Sequence, residues 1–121
     1  MAINWDLLKV HYLQGDRASQ LGSLSLNLMR LQVLVRQGND DIVAQHFVRE
    51  SQFFIEWIVP TMNLETDIDS ATELLELQRS LSQWKLNWTE PWASQSKREQ
   101  IATMAQAWCD RLQHQCESLV S

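Results

Sequence analysis

Three glycines and two prolines in 121 residues are the strongest limit on what this chain can fold into. A sheet of short strands needs a turn about every 8–12 residues, each marked by its own glycine, proline or asparagine. Long helices need few such breaks. Gly15, Gly38, Pro60 and Pro91 stand at the joints between apolar segments, so the scarcity reads as a handful of helices. The densest apolar segment is Phe53-Phe54-Ile55-Glu56-Trp57-Ile58-Val59, and Pro60 stops it. That stretch reads as the end of a buried helix around which the other helices pack.

The first main helix is expected over about 16–37. Leu21, Leu24, Leu28, Leu31 and Val35 recur at three- and four-residue steps, which is one face of a helix. Leu26, Met29 and Val33 carry apolar surface beyond that stripe, and no charge falls between Arg17 and Arg30. A helix apolar over so much of its girth is central or faces a second subunit. Leu24-Ser25-Leu26-Asn27-Leu28 alternates with period two, but Leu21 to Gln37 is long for a strand, and helix is preferred. Gly38 sits where a helix C-terminal glycine belongs. Asn39 and Asp40 follow as N-cap candidates, and so short a connection makes the next helix an antiparallel neighbour.

That second helix runs from about 41 to 59. Val43, Phe47, Phe54 and Trp57 recur in a four-three rhythm whose one gap is Glu50. His46 lies four residues earlier on the same face. A carboxylate inside an apolar stripe is costly unless paired, so His46, Arg49 or a group on another helix is its expected partner. A third helix over about 67–87 has Leu74, Leu77, Leu81 and Trp84 on one face, widened by Leu75 and Leu86. Ser70 with Glu73, or Thr66 with Asp69, would cap it. A fourth, over about 96–119 and capped by Ser96 and Glu99, turns Ile101, Met104, Ala105, Trp108, Leu112 and Leu119 inward. Residues 1–15 form either a short helix capped by Asn4, with Trp5, Leu8 and Tyr12 together, or an extended arm. In either form they are apolar enough to cover something. The expectation is one all-α domain, residues 1–121: an antiparallel up-and-down four-helix bundle with an extra N-terminal segment.

Composition excludes several functions. The formal charge is −5, and ten scattered Lys and Arg do not make the dense basic face that nucleic acid requires. Nor do they make a polybasic membrane anchor. No uninterrupted apolar run reaches the roughly 18 residues that span a bilayer. The first ten residues include Asp6 and Lys9 and do not read as a signal peptide. Cys109 and Cys116 are two helical turns apart, about 10.5 Å of rise. A disulfide needs Cα atoms within about 7 Å, so both read as reduced thiols of a cytoplasmic protein. Without secretion, the glycosylation pattern Asn87-Trp88-Thr89 has no reader.

Glu50-Ser51-Gln52-Phe53-Phe54-Ile55-Glu56-Trp57, followed by Val59-Pro60 and an acidic Leu-rich segment, resembles a group of small uncharacterised helical proteins in cyanobacteria. Leu77-Gln78, Trp84, Trp88 and Trp108 are similar to the same group. The resemblance covers roughly residues 18–119. It implies a cytoplasmic, all-helical protein and brings no activity with it.

Four signals bear on chemistry. His46 with Glu50, joined by Glu56 or His114, has inward carboxylates and imidazoles of the kind that bind metal in bundles. Such sites want Glu-x-x-His on two helices, and the chain has none, so an ion pair or buried hydrogen bond is the preferred reading. Glu65, Asp67, Asp69, Glu73 and Glu76 mimic a calcium loop, but Ser70 stands where the turn needs glycine. Acidic residues at a helix N-terminus suit its dipole, and that reading is preferred. Trp84, Trp88 and Trp92 are four apart and would line one face of a continuous helix, a grip for a planar ligand or a partner protein. The plainer reading, which is preferred, puts Trp84 in the core and Trp88 and Trp92 over the bundle end. Cys109, His114 and Cys116 do not share one face, so core thiols are preferred to a zinc site.

These readings order three functions. First comes a non-catalytic interaction or regulatory module acting through a protein partner, with a homodimer as the leading case. Next comes a binder of an apolar or planar small molecule through Trp57, Trp84, Trp88 and Trp92. Last comes an acid/base or metal-dependent enzyme on His46 and Glu50. No catalytic residue, metal or cofactor is assigned.

Overall fold

The computed structural model describes residues 4–120, with the side chain of Val120 outside the described set. The described chain is all-helical: α1 (Trp5–Gln14), α2 (Arg17–Gln37), α3 (Asp41–Ile58), α4 (Ile68–Leu86), α5 (Thr89–Ala93) and α6 (Gln95–Val120). A single 3-10 turn, Val59–Thr61, ends α3 where Pro60 removes a backbone donor.

Local chemistry sets most of these boundaries. Asn4 caps α1 by accepting from the Leu7 backbone N–H at 3.0 Å, so from Trp5 to Gln14 the N-terminal segment is a helix and not an extended arm, residues 1–3 lying outside the described set. Asp16 does the same for α2 through Ser19 at 2.8 Å. Gly38 ends α2 with φ +72°, a conformation glycine takes without the Cβ penalty. Asp40, two residues on, adopts φ 57° and starts α3 without a side-chain cap. Two expected caps lie elsewhere. The Ser70 hydroxyl donates to Gln115 on α6 at 2.7 Å, and α4 begins two residues earlier. Ser94, not Ser96, accepts the first amides of α6, and Glu99 pairs with Arg36 instead.

Pairwise contacts run antiparallel. Ala18 meets Cys116, Ser25 meets Cys109 and Arg36 meets Glu99, so α2 and α6 run in opposite directions along much of their length. Asn27 with Glu50, and Arg30 over Phe47, set α2 against α3 in the same sense. Gln52 with Ser82 joins α3 to α4, and Ser70 with Gln115 joins α4 to α6. The α2 stripe of Leu21, Leu24, Leu28, Leu31 and Val35 is fully buried, as are Leu74, Leu77 and Leu81 of α4. Each such side chain contributes about 1.5–3 kcal/mol by leaving water.

Two inward faces differ from the sequence pattern. On α3 the buried residues are Ala44, Val48, Ser51, Phe54, Ile55 and Ile58. The expected stripe of Val43, Phe47, Phe54 and Trp57 is rotated by about one residue: Val43 is exposed, and Phe47 and Trp57 are half-buried. Trp57 flanks the core under Tyr12 of α1, and Phe47 flanks it under the Arg30 guanidinium of α2. On α6, Ile101, Ala102, Ala105, Trp108, Cys109 and Leu112 are buried while Met104 and Leu119 are exposed. Small residues let α6 approach α2 closely, which moves the seam toward Ala102 and Cys109. Leu75 and Leu86 of α4 are exposed and do not widen its inner face.

Candidate functional site

The layer between α1 and α3 gathers Trp5, Tyr12, Phe53, Phe54 and Trp57. Trp5 packs on Phe53 with ring centres 4.7 Å apart and on His46 at 5.9 Å. Tyr12 stacks on Phe54 at 3.9 Å, and Phe53 stacks on Trp57 at 5.6 Å. The Arg49 guanidinium lies over both Trp5 and Phe53. Such cation–aromatic contacts hold the charge in place and contribute about 0.5–1 kcal/mol each at exposed sites.

Glu50 sits at the edge of this layer with its side chain 17% exposed. One carboxylate oxygen accepts from the Asn27 amide at 3.1 Å, and the other lies 3.3 Å from His46 Nε2. The cost of a carboxylate among apolar neighbours is thus offset locally, by one residue of α2 and one of its own helix. Glu56 is exposed and does not join, and His114 belongs to α6. Among the described residues, no three His, Cys, Asp or Glu side chains converge as metal ligands. Cys109 is buried with its sulfur 3.1 Å from the Ser25 hydroxyl, a contact within the α2–α6 seam.

The tryptophans singled out in the sequence separate into three places. Trp84 is buried in the core of α4. Helix α4 ends at Leu86, so Trp88 and Trp92 fall on the following turn and on α5, where they stack on each other at 5.2 Å. Trp57 belongs to the α1–α3 layer and has ring contacts with Phe53, Phe54 and Tyr12. Among the described residues, no ring contact joins Trp57 or Trp84 to another of these four.

What the sequence did not mark is a cleft of about 380 Å³ between α1, α3 and the end of α4. Trp5, Ile42, His46 and Arg49 form one side, and Lys85 and Trp88 the other. Trp88 is buried, and its indole N–H has no acceptor among the described residues. Lys85 and Arg49 were visible in the sequence as isolated charges only. Their convergence follows from the antiparallel crossing of α3 and α4.

The outer face of α2 has a different character. Leu26, Met29 and Val33 are between 42% and 50% exposed and lie on one side of the helix. The stripe continues through Gly22 to Ala18, where a shallow groove of about 540 Å³ opens against Cys116 and Glu117 of α6. Compared with protein-family models, with curated proteins and with solved structures, the chain matches none. Among the described residues, no helix is long and apolar enough to cross a membrane.

Proposed function

We propose that this is a non-catalytic interaction module that pairs with a second copy of itself through the outer face of α2. The observation that carries this reading is the exposed stripe Leu26, Met29 and Val33 on the helix whose other side is the best-buried surface of the fold. Exposed apolar residues set in line are the usual mark of a contact surface. The stripe is also self-complementary. A two-fold axis crossing α2 between Leu26 and Met29 sets the bulk of Val33 against Gly22 of the partner subunit. At Gly22 an added Cβ would meet nothing within 4 Å, so the hollow is open. Such an isologous pairing uses one patch twice and closes on itself. The same axis brings Arg36 toward Glu117 of the partner subunit, opposite charges at the ends of the stripe. The net charge of −5 opposes pairing, and salt at physiological strength screens that repulsion beyond about 8 Å.

In this reading α2, α3, α4 and α6 make an antiparallel four-helix bundle, α1 is a strap over α3, and α5 is a link. The ring of contacts α2–α3–α4–α6–α2 supports it. The two free thiols support a cytoplasmic setting. An acid/base enzyme on His46 and Glu50 has less behind it, because both Glu50 oxygens are already engaged.

Light scattering on sized protein, repeated across a range of concentrations, tests the proposal. Twice 14.1 kDa is expected for the wild type, and 14.1 kDa for Met29→Glu at equal helix content. A wild-type chain that stays at 14.1 kDa at every concentration sinks the self-association reading.

A further inference from the structure

We infer that the cleft between α1, α3 and the end of α4 binds a small organic anion with a flat apolar body, a planar aromatic carboxylate being the simplest case. Its volume of about 380 Å³ fits a molecule of that size. Its charge is the opposite of the chain's. Fifteen Asp and Glu outnumber ten Lys and Arg, yet no carboxylate is among the described residues lining the cleft, and Arg49 and Lys85 are. Glu50, on the same helix as Arg49, is held by His46 and Asn27.

Those two cations are available. Arg17, Arg36, Lys97 and Arg111 pair with carboxylates. Arg49 and Lys85 make no ion pair or hydrogen bond with any described residue. The guanidinium carbon of Arg49 instead lies 5.5 Å from the Trp5 ring centre and 5.6 Å from the Phe53 ring centre. Those contacts hold the charge near the rings and leave its N–H groups unpaired among the described residues, and a guanidinium fork matches a carboxylate. Trp5 and Trp88 supply flat walls, and Ile42, 79% exposed, supplies an apolar rim. Trp88 adds a third sign. Buried indole N–H groups ordinarily find an acceptor, and this one has none among the described residues. An oxygen carried by a ligand is the acceptor the proposal supplies. Two cations are too few for a polyanion, whose phosphates need a longer basic track. No residue of α2 lines the cleft, so this inference stands apart from self-association.

The test uses the whole chain and two probes, 2-naphthoate and its neutral analogue 2-naphthamide. Calorimetric titration gives the affinities, and the indole N–H signals of the six tryptophans give the location. One site is expected for naphthoate, with the Trp5 and Trp88 signals moving most. Naphthamide should bind about tenfold more weakly or worse, as should naphthoate to the double variant Arg49→Gln, Lys85→Gln, since each lost charge-assisted bond is worth at least that factor. Lys97→Gln, away from the cleft, should bind like wild type. Equal affinity for the two probes overturns the proposal, and so does a double variant that binds as tightly as wild type. So does the absence of saturable binding, or shifts confined to other indoles. If the double variant fails to fold, the ratio of the two probes on wild-type protein still decides.

Discussion

Tyr12 and Gln20 hold each other in both directions across the turn at Gly15. The Tyr12 hydroxyl donates to the Gln20 carbonyl at 2.7 Å, and the Gln20 side-chain amide donates to the carbonyls of Tyr12 at 3.4 Å and Gly15 at 3.1 Å. The Tyr12 ring meanwhile stacks on Phe54 at 3.9 Å. One residue therefore ties α1 to the start of α2 and to the C-terminal half of α3.

Burial raises the Tyr12 phenol above its ordinary value of about 10, with Arg17 pulling the other way and Cys116 and Glu50 adding to the rise. The folded state thus favours the neutral phenol. Its contribution is complete below the unfolded value and is lost as pH rises toward the folded one. Urea stability should fall above pH about 10, with a slope of at most about 1.4 kcal/mol per pH unit from this group. Tyr12→Phe should remove that part of the alkaline loss while costing about 1 kcal/mol at neutral pH. Tyr12 is the only tyrosine in the chain, so phenolate absorbance reports the event directly.

Asn27 is 2% exposed and gives its amide to Glu50. Glu50→Ala should cost about 1–3 kcal/mol in urea unfolding, because it strands a buried donor. Glu50→Gln keeps an acceptor and should cost less. Joining Asn27→Ala to Glu50→Ala should cost less than the two separately, the mark of a shared contact. Strict additivity would show that the bond does not form in solution.

Gly38 carries two constraints at once. Its φ of +72° penalises any side chain, and a Cβ there would stand 2.9 Å from the Arg98 guanidinium carbon. Gly38→Ala should cost about 1–2 kcal/mol from the backbone alone. Thermal unfolding should show a larger drop than that, part of it recovered when Arg98 is also changed to Ala.

The two thiols should label at different rates. Cys109 is buried and should stay unmodified until the chain unfolds. Cys116 is half-buried, its thiol is pushed up by burial with Glu117 adding to it, and it lines the groove beside Gly22. Alkylation of Cys116 at neutral pH should be slow. It should slow further as protein concentration rises, and Met29→Glu should abolish that concentration dependence.

Residues whose signal is local were legible in the sequence. Asp16 and Gly38 mark the ends of α2 because capping and positive φ need only their own neighbours. The leucine stripes of α2 and α4 were legible because one face of each is uniformly covered. On α3 the pattern misled, since large aromatics on the flank facing α1 carry more apolar weight than Ala44, Val48 and Ser51, which face the core. Periodicity reports which residues are apolar and not which neighbour covers them. A single tryptophan face from 84 to 92, which required a continuous helix, does not form because α4 ends at Leu86, before Trp88. The cleft was invisible, since Arg49 and Lys85 meet only through the packing of α3 on α4.

The pairing of α2 with α6 has a consequence for how the chain is made. Ser25 waits 84 residues for Cys109, and Ala18 waits 98 for Cys116. At roughly 5–20 residues per second, the ribosome leaves α2 without that neighbour for about 4–20 seconds. During that interval α3 covers one flank of the leucine stripe, and the flank that α6 will take stays wet. A nascent chain halted before α6 should therefore be sticky in a way the finished protein is not, and chaperones that bind apolar helices should meet it at that stage.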